Sequence, residues 1–230
     1  IRDSLCILHE NEWSDYLILP FNIGGKKVKC GMRFKLIKLS GDGKIFRLYR
    51  SEIYPVEGFN YPETITEELT ENCGVYVGTP GRILLGAGWM ETYFEEAKFH
   101  VDWLTRAANY LFKNKNWDIF MMECHFPDFI QHKFWSFIDP ESDEYNPYKG
   151  WKIFRTAYKL IDELIEGITK NLEEETLICI VSDHGHCLRR REVLIANALA
   201  DAGLIDPYNL GKSKIWIEGF NIFVNLKSGR

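Results

Sequence analysis

Two short and almost wholly apolar runs, at residues 118–124 and 176–182, constrain the fold more than any other feature of the sequence. The first is too continuous in its apolar content to be half-exposed, which predicts a strand in the centre of a sheet, and the second predicts the next strand. Between them, helical periodicity is found over residues 128–137 and again in a segment that places Phe154, Ala157, Ile161, Leu164 and Ile168 on one face. This order predicts an α/β fold in which helices cover both faces of a partial sheet.

The N-terminal part of the chain has a different pattern, with strand-like runs at residues 16–19, 32–39 and 45–49. Glycine-rich turns separate these runs, which predicts a small antiparallel meander with one solvated face. We therefore assign residues 1–60 to an antiparallel β insert or cap and residues 61–230 to an incomplete α/β core. Within that core we expect further helices at 63–69, 94–111 and 189–202, the last one stopped by Gly203, and a C-terminal hairpin at about 214–226.

Composition restricts the possible partners of this 230-residue chain. Its 28 Lys and Arg residues against 33 Asp and Glu residues give a net charge of −5, so no nucleic-acid partner is expected. No apolar stretch approaches the roughly 20 residues of a membrane span. The six cysteines are irregularly spaced and include no C-x-x-C pair, which indicates reduced thiols and a cytoplasmic location. Phe134, Trp135 and Trp151 are expected in the core rather than as platforms for base stacking, and the oligomeric state stays open.

A cluster of polar residues follows each apolar run. Asp128 and His132 are four residues apart on a predicted helix, so both project from one face, whereas Asp183 and His184 directly follow the second run, with Gly185 free to turn. Strand ends of this kind are where open α/β sheets bind ligands. Carboxylate and imidazole together suit zinc or manganese, and two such pairs predict two divalent ions, an arrangement that is typical of phosphoryl chemistry.

Simpler interpretations of both clusters remain open. Asp128 can be an N-cap residue at the start of a helix that binds no metal ion, and the second cluster can be a polar turn at the end of a strand. Each pair also offers two ligands, whereas zinc takes about four. The remaining ligands are expected from Glu123, His125 or His186, or from outside the chain.

Asp128-x-x-x-His132, followed about fifty residues later by Ser182-Asp183-His184-Gly185, resembles the type I phosphodiesterase and nucleotide pyrophosphatase family of the alkaline phosphatase superfamily, especially its prokaryotic, mostly archaeal, members. The resemblance implies hydrolysis of a phosphodiester or nucleotide pyrophosphate bond in a small phosphorylated or nucleotide-like substrate. It further implies that Asp128 and His132 bind one metal ion, and Asp183 and His184 a second, beside a Thr or Ser nucleophile. For His186 we expect a supporting hydrogen bond to a ligand or a contact with substrate phosphate.

The sequence departs from the family pattern at two points. Nothing before Glu12 resembles the strand that carries the first Asp of the family, and no His follows His186. We therefore expect an internal fragment that lacks the nucleophile and the C-terminal His, and that is inactive alone. Two alternatives stay open: another alkaline phosphatase relative, such as a phosphomonoesterase, sulfatase or phosphoglycerate mutase, and a non-catalytic module that binds metal or phosphate.

Overall fold

The computed structural model describes residues 5–219 and 221–226 of the chain. It contains two compact units, Ile1–His186 and Cys187–Arg230. Helices and small antiparallel sheets are combined, with β-structure first, so the predicted α/β class and the N-terminal β-region are confirmed. The predicted division at about residue 60 stays a prediction.

Five strands form the N-terminal part of the first unit. They are β1 (Leu17–Ile23), β2 (Lys26–Met32), β3 (Phe34–Leu39), β4 (Phe46–Arg50) and β5 (Tyr54–Pro55). One antiparallel sheet has the order β1-β2-β5, and β3 pairs with β4 in a second. The turn between β1 and β2 consists of Gly24 and Gly25, both with positive φ, which glycine adopts without steric cost.

The run predicted as one strand at residues 32–39 is divided at Arg33. The guanidinium of Arg33 lies against the rings of Trp13, Tyr16 and Phe99, at 4.5, 4.9 and 3.5 Å from their centroids. Its backbone N–H donates to the Ser51 hydroxyl at 3.0 Å rather than to a neighbouring strand. Burial of this side chain therefore separates β2 from β3, which belong to different sheets.

Five helices follow in the first unit: α1 (Thr64–Cys73), α2 (Arg82–Ala87), α3 (Met90–Asn114), α4 (Phe126–Ile138) and α5 (Pro147–Thr169). Four of them cover the segments in which helices were predicted. Helices α3, α4 and α5 enclose the main core with side chains that include Ala97, Val101, Ile130, Phe134, Phe154, Ala157 and Leu164. Phe134 is buried as predicted, whereas Trp151 is exposed, so its assignment to the core is wrong.

Buried polar contacts join β3 and β4 to α3. The ammonium of Lys35, which is almost completely buried, pairs with Glu95, and the Tyr49 hydroxyl donates to Glu96 Oε2 at 2.8 Å. Burial raises the pKa of the Glu96 carboxyl, against the hydrogen bonds that it accepts. These contacts hold α3 against the N-terminal strands, and α3 in turn supports α4.

The two apolar runs that were predicted as central strands do not form strands. Residues 118–124 and 176–182 have no regular secondary structure, and Ile119 and Val181 are 81% and 88% exposed. A strand needs a hydrogen-bonded neighbour, and in the described residues each of the seven strands pairs with another of the seven and not with these runs. The apolar content was identified correctly, but the pairing partners that it requires are not supplied by the described segments.

The second unit contains helix α6 (Ile195–Asp201), a short 3-10 helix (Leu210–Lys212) and an antiparallel hairpin of β6 (Ile215–Glu218) and β7 (Asn221–Val224). The hairpin confirms its prediction. Helix α6 begins six residues later than predicted, since residues 189–191 are all arginine and cations are unfavourable at a helix N-terminus. Gly203 follows the helix end with φ of 68°, as predicted. None of the described helices combines the length and the apolar character that crossing a bilayer requires.

Candidate metal centre

Helix α4 presents Asp128 and His132 on the face that is turned away from the core. Pro127 lies in its first turn, where a missing N–H costs no helical hydrogen bond, and Asp128 follows close to the positive end of the helix dipole. Phe126 and Ile130 are fully buried against the core. Because Asp128 and His132 are separated by four residues, their side chains lie one turn apart on the other face.

His186 reaches the same position from the segment that follows the second apolar run. Its Nε2 atom donates a hydrogen bond to Asp128 Oδ1 at 3.0 Å, and His132 Nε2 lies 3.4 Å from the same oxygen. The two imidazole rings meet edge to face, with centroids 4.7 Å apart. The side chains of His186 and Asp128 are only 10% and 18% exposed, so one carboxylate oxygen lies between two imidazoles, largely shielded from water.

These three side chains have the donor atoms and the spacing of a cation site. One nitrogen from each histidine and one oxygen of Asp128 all lie within 4.8 Å of one another, and no other group of three such residues is found in the described part of the chain. A tetrahedral zinc ion with bonds of about 2.0–2.1 Å holds neighbouring donors roughly 3.3–3.5 Å apart. Small side-chain rotations therefore bring the donors to ligand spacing, and the residues fit a divalent ion.

The second oxygen of Asp128 has a neighbour of its own. His125 Nε2 lies 3.4 Å from Asp128 Oδ2, and the opposite ring nitrogen, Nδ1, lies 2.8 Å from Glu123 Oε1. His125 thus stands between two carboxylates, an arrangement that fixes the orientation of an imidazole. In this position His125 is better placed to orient Asp128 than to act as a fourth metal ligand.

In the described residues, the second predicted pair, Asp183 and His184, does not form a group of three metal donors with any further side chain. The Asp183 side chain is 83% exposed, and its Oδ2 lies 3.4 Å from His184 Nε2. The centroid of the His184 ring is 5.3 Å from that of His186, so the pair lies beside the three-donor group. Gly185 does not have a positive φ, so the conformational freedom that glycine offered at this position is not used.

Burial affects two further side chains near the start of α4. Desolvation raises the pKa of the Cys124 thiol to about 12, so this cysteine is a protonated thiol rather than a thiolate ligand near neutral pH. The Tyr93 hydroxyl donates to the Phe126 carbonyl at 3.1 Å, which fixes the first turn of α4 to α3. Burial also raises the pKa of Tyr93, which therefore stays a donor.

Sequence reasoning predicted that Asp128 and His132 lie together, and it named His186 both as a possible further ligand and as a supporting residue. In the structure His186 lies with the first pair. Alternate residues of an extended segment point to the same side, so His184 and His186 were both candidates for one cluster. Trp135 packs against the core as predicted, and its ring centroid also lies 5.8 Å from that of His186, a contact that was not predicted.

The chain was also compared with known proteins. The model of a family described as type I phosphodiesterase / nucleotide pyrophosphatase matches residues 48–219, about three quarters of the chain. That range includes both predicted ligand pairs, His186 and all of α4. Neither the curated proteins nor the solved structures gave a match.

Proposed function

Because the chain belongs to the type I phosphodiesterase / nucleotide pyrophosphatase family, we propose that it hydrolyses a phosphodiester or nucleotide pyrophosphate bond with the help of divalent metal ions. Asp128, His132 and His186 hold the first ion, and the single observation that carries this assignment is the convergence of their donor atoms within 4.8 Å. Zinc and manganese are the ions that this set of nitrogen and oxygen donors favours.

Asp183 and His184 are our candidates for a second ion. Their support is the position of His184 next to His186, since paired ions in phosphoryl-transfer sites lie about 4 Å apart. A bound divalent ion supplies positive charge that stabilises the charge on phosphoryl oxygens. We assign no nucleophile among the described residues.

Three side chains around the proposed first ion have further roles. His186 Nε2 lies 3.0 Å from Asp128 Oδ1, and the same nitrogen would hold the ion with the ring proton on Nδ1. His125 holds the other oxygen of Asp128 in place. Trp135 packs beside His186 and restricts access of water from that side.

We also propose a small phosphorylated or nucleotide-like substrate and a cytoplasmic location. Support for the location is that all six cysteines, each within the described residues, are free thiols. The family supports the substrate class.

The test is hydrolysis of bis-nitrophenyl phosphate by the purified full-length protein with zinc or manganese. We expect release of nitrophenol that Asp128→Asn reduces by at least about a hundredfold, since it weakens a ligand charge at the reacting centre. Asp162→Asn, an exposed carboxyl on α5, is the matched control and keeps full activity. Full activity of an Asp183→Ala variant would refute the role of the second pair.

A single-ion binding module without catalysis is the second candidate. The observation that favours it is the exposure of Asp183, together with three donors at one position in the described residues against two at the other. Metal content separates the two candidates. Two equivalents of zinc per chain support the hydrolase, whereas one equivalent, unaffected by Asp183→Ala, supports the binding module.

A further inference from the structure

A small pocket adjoins the candidate metal centre on the side of α2. It has a volume of about 230 Å³ and is lined by Arg82, Leu85, Gly86, Phe129, His132 and Lys133. His132 belongs to both sites, so a ligand in this pocket lies next to whatever the metal centre binds. No acidic side chain of the described residues lines the pocket.

Two cations give the pocket its chemistry. The guanidinium of Arg82 lies over the Phe129 ring, 3.8 Å from the ring centroid, and this stacking holds its planar fork in one orientation. Lys133 contributes a second positive charge from α4, directly after His132 in the sequence. Arg presents paired donors that match phosphate oxygens, and Lys acts as a point charge.

The backbone that carries Arg82 is held in place. Leu84 and Leu85 are buried in the core, and the Gly81 N–H, one residue before Arg82, donates to Glu96 Oε2 at 3.4 Å. Gly86 has no side chain, and a Cβ built there meets nothing within 4 Å, so the wall of the pocket stays open at that point. A fixed backbone and a stacked guanidinium reduce the entropy that binding an anion would cost.

The size of the pocket limits its ligand. Pockets that enclose drug-sized molecules have about 300–1,000 Å³, so about 230 Å³ is too small for a whole nucleotide and sufficient for a phosphate group. A neighbouring phosphate at the metal centre would be connected through His132, the shared wall. The pocket therefore suits the second phosphate of a diphosphate group.

We propose that Arg82 and Lys133 form an anion subsite that binds the phosphate adjacent to the one at the metal centre, and that this subsite selects pyrophosphate-type substrates over simple phosphodiesters. The inference deepens the proposed function and rests on it for catalysis. Binding of the anion itself does not depend on the metal ions, because the two cations belong to the chain.

The first experiment measures binding of inorganic pyrophosphate by calorimetry, with a chelator present to remove metal ions. We expect Arg82→Gln to weaken binding about tenfold or more, Lys133→Gln to weaken it less, and Arg82→Lys to restore part of it. Arg155→Gln, an exposed arginine on α5, is the matched control and leaves binding unchanged. Equal affinity of the Arg82→Gln variant and the unmodified protein, or an equal loss in the control, would overturn the proposal.

The second experiment compares kcat/KM for a nucleotide pyrophosphate with that for bis-nitrophenyl phosphate, with zinc present. Arg82→Gln lowers the ratio of the first value to the second about tenfold, because the diester has no second phosphate. An equal fall in both values would contradict selection by this subsite. If neither substrate is hydrolysed, the proposed function fails, while the result of the metal-free titration still decides whether the anion subsite exists.

Discussion

His186 Nε2 and Asp128 Oδ1 are 3.0 Å apart, although the two residues are 58 positions apart in the chain. This contact brings the segment that follows the second apolar run to the face of α4. The His186 nitrogen adds a third potential metal donor to the two that α4 presents.

Removal of the His186 imidazole should weaken metal binding strongly. Substitutions of residues that only support a ligand cost about 10–100-fold in metal affinity, so loss of a direct ligand in His186→Ala should reduce zinc affinity at least as much. Competition with a chromophoric chelator measures the change. His9→Ala, at an exposed position, is the control, and an affinity of His186→Ala within threefold of the control would show that His186 is not a ligand.

His125 should have a smaller effect on the same measurement. It faces Asp128 Oδ2 and leaves Oδ1 to the other two histidines, so His125→Ala removes an orienting contact and no donor of the three-residue group. We expect a loss of zinc affinity of roughly tenfold, smaller than that of His186→Ala. The reverse order would indicate that His125, rather than His186, completes the site.

Two glycines in helices should respond in opposite directions to alanine. A Cβ on Gly150 would lie 2.6 Å from Ile138 Cγ2 and 3.1 Å from the Phe137 backbone, so Gly150→Ala forces α5 away from the end of α4. We expect a loss of about 1–3 kcal/mol in the free energy of unfolding, measured in urea, despite the higher helix propensity of alanine.

Gly86 is the matched control for this change. Its Cβ would meet nothing within 4 Å, so Gly86→Ala should stabilise the protein by about 0.5–1 kcal/mol. Destabilisation by both substitutions, to the same extent, would contradict the close packing of Gly150.

His100 should make stability depend on pH. Burial lowers the pKa of its imidazole, whose Nδ1 donates to the Val77 carbonyl at 2.7 Å while Nε2 has no partner in the described residues. Above the unfolded pKa of about 6.5 both states are neutral, and no penalty exists. Below this pKa the imidazole is protonated in the unfolded chain but stays neutral in the folded protein. The free energy of unfolding therefore falls as the pH decreases, until the pH reaches the lowered pKa of the folded state.

Urea unfolding between pH 5 and pH 7 measures this effect. The slope due to one such proton is at most about 1.4 kcal/mol per pH unit, and His100→Asn should remove its contribution. His9→Asn, at an exposed position, should keep the slope of the unmodified protein. If the slopes of all three proteins coincide, His100 does not titrate differently in the two states.

Local sequence patterns determined four of the five helices in the first unit and the glycine turns. The four-residue spacing of Phe126, Ile130 and Phe134 required α4 to bury one face, which in turn placed Asp128 and His132 on the other. The glycines at 24, 25 and 203 have the positive φ that ends strands and helices. These features depend on residues close in the chain, so periodicity and backbone preference were sufficient to predict them.

The apolar runs at 118–124 and 176–182 show where local patterns are insufficient. Their composition suits strands, but a strand exists only with a hydrogen-bonded partner, and pairing is decided by segments far away in the sequence. Trp151 is a similar case, because an aromatic residue in a helical pattern is compatible with either face.

The sequence by itself determined which chemistry is possible: two carboxylate and imidazole pairs, spaced as in one family of phosphoesterases, on a chain with no excess of positive charge. Only the tertiary structure decided which of these groups meet. Asp128 and His132 are held together by one helical turn, whereas His186 joins them through folding over 58 residues. Spacing along a helix can be counted, but contact between distant segments depends on the packing of the whole unit, which no local pattern encodes.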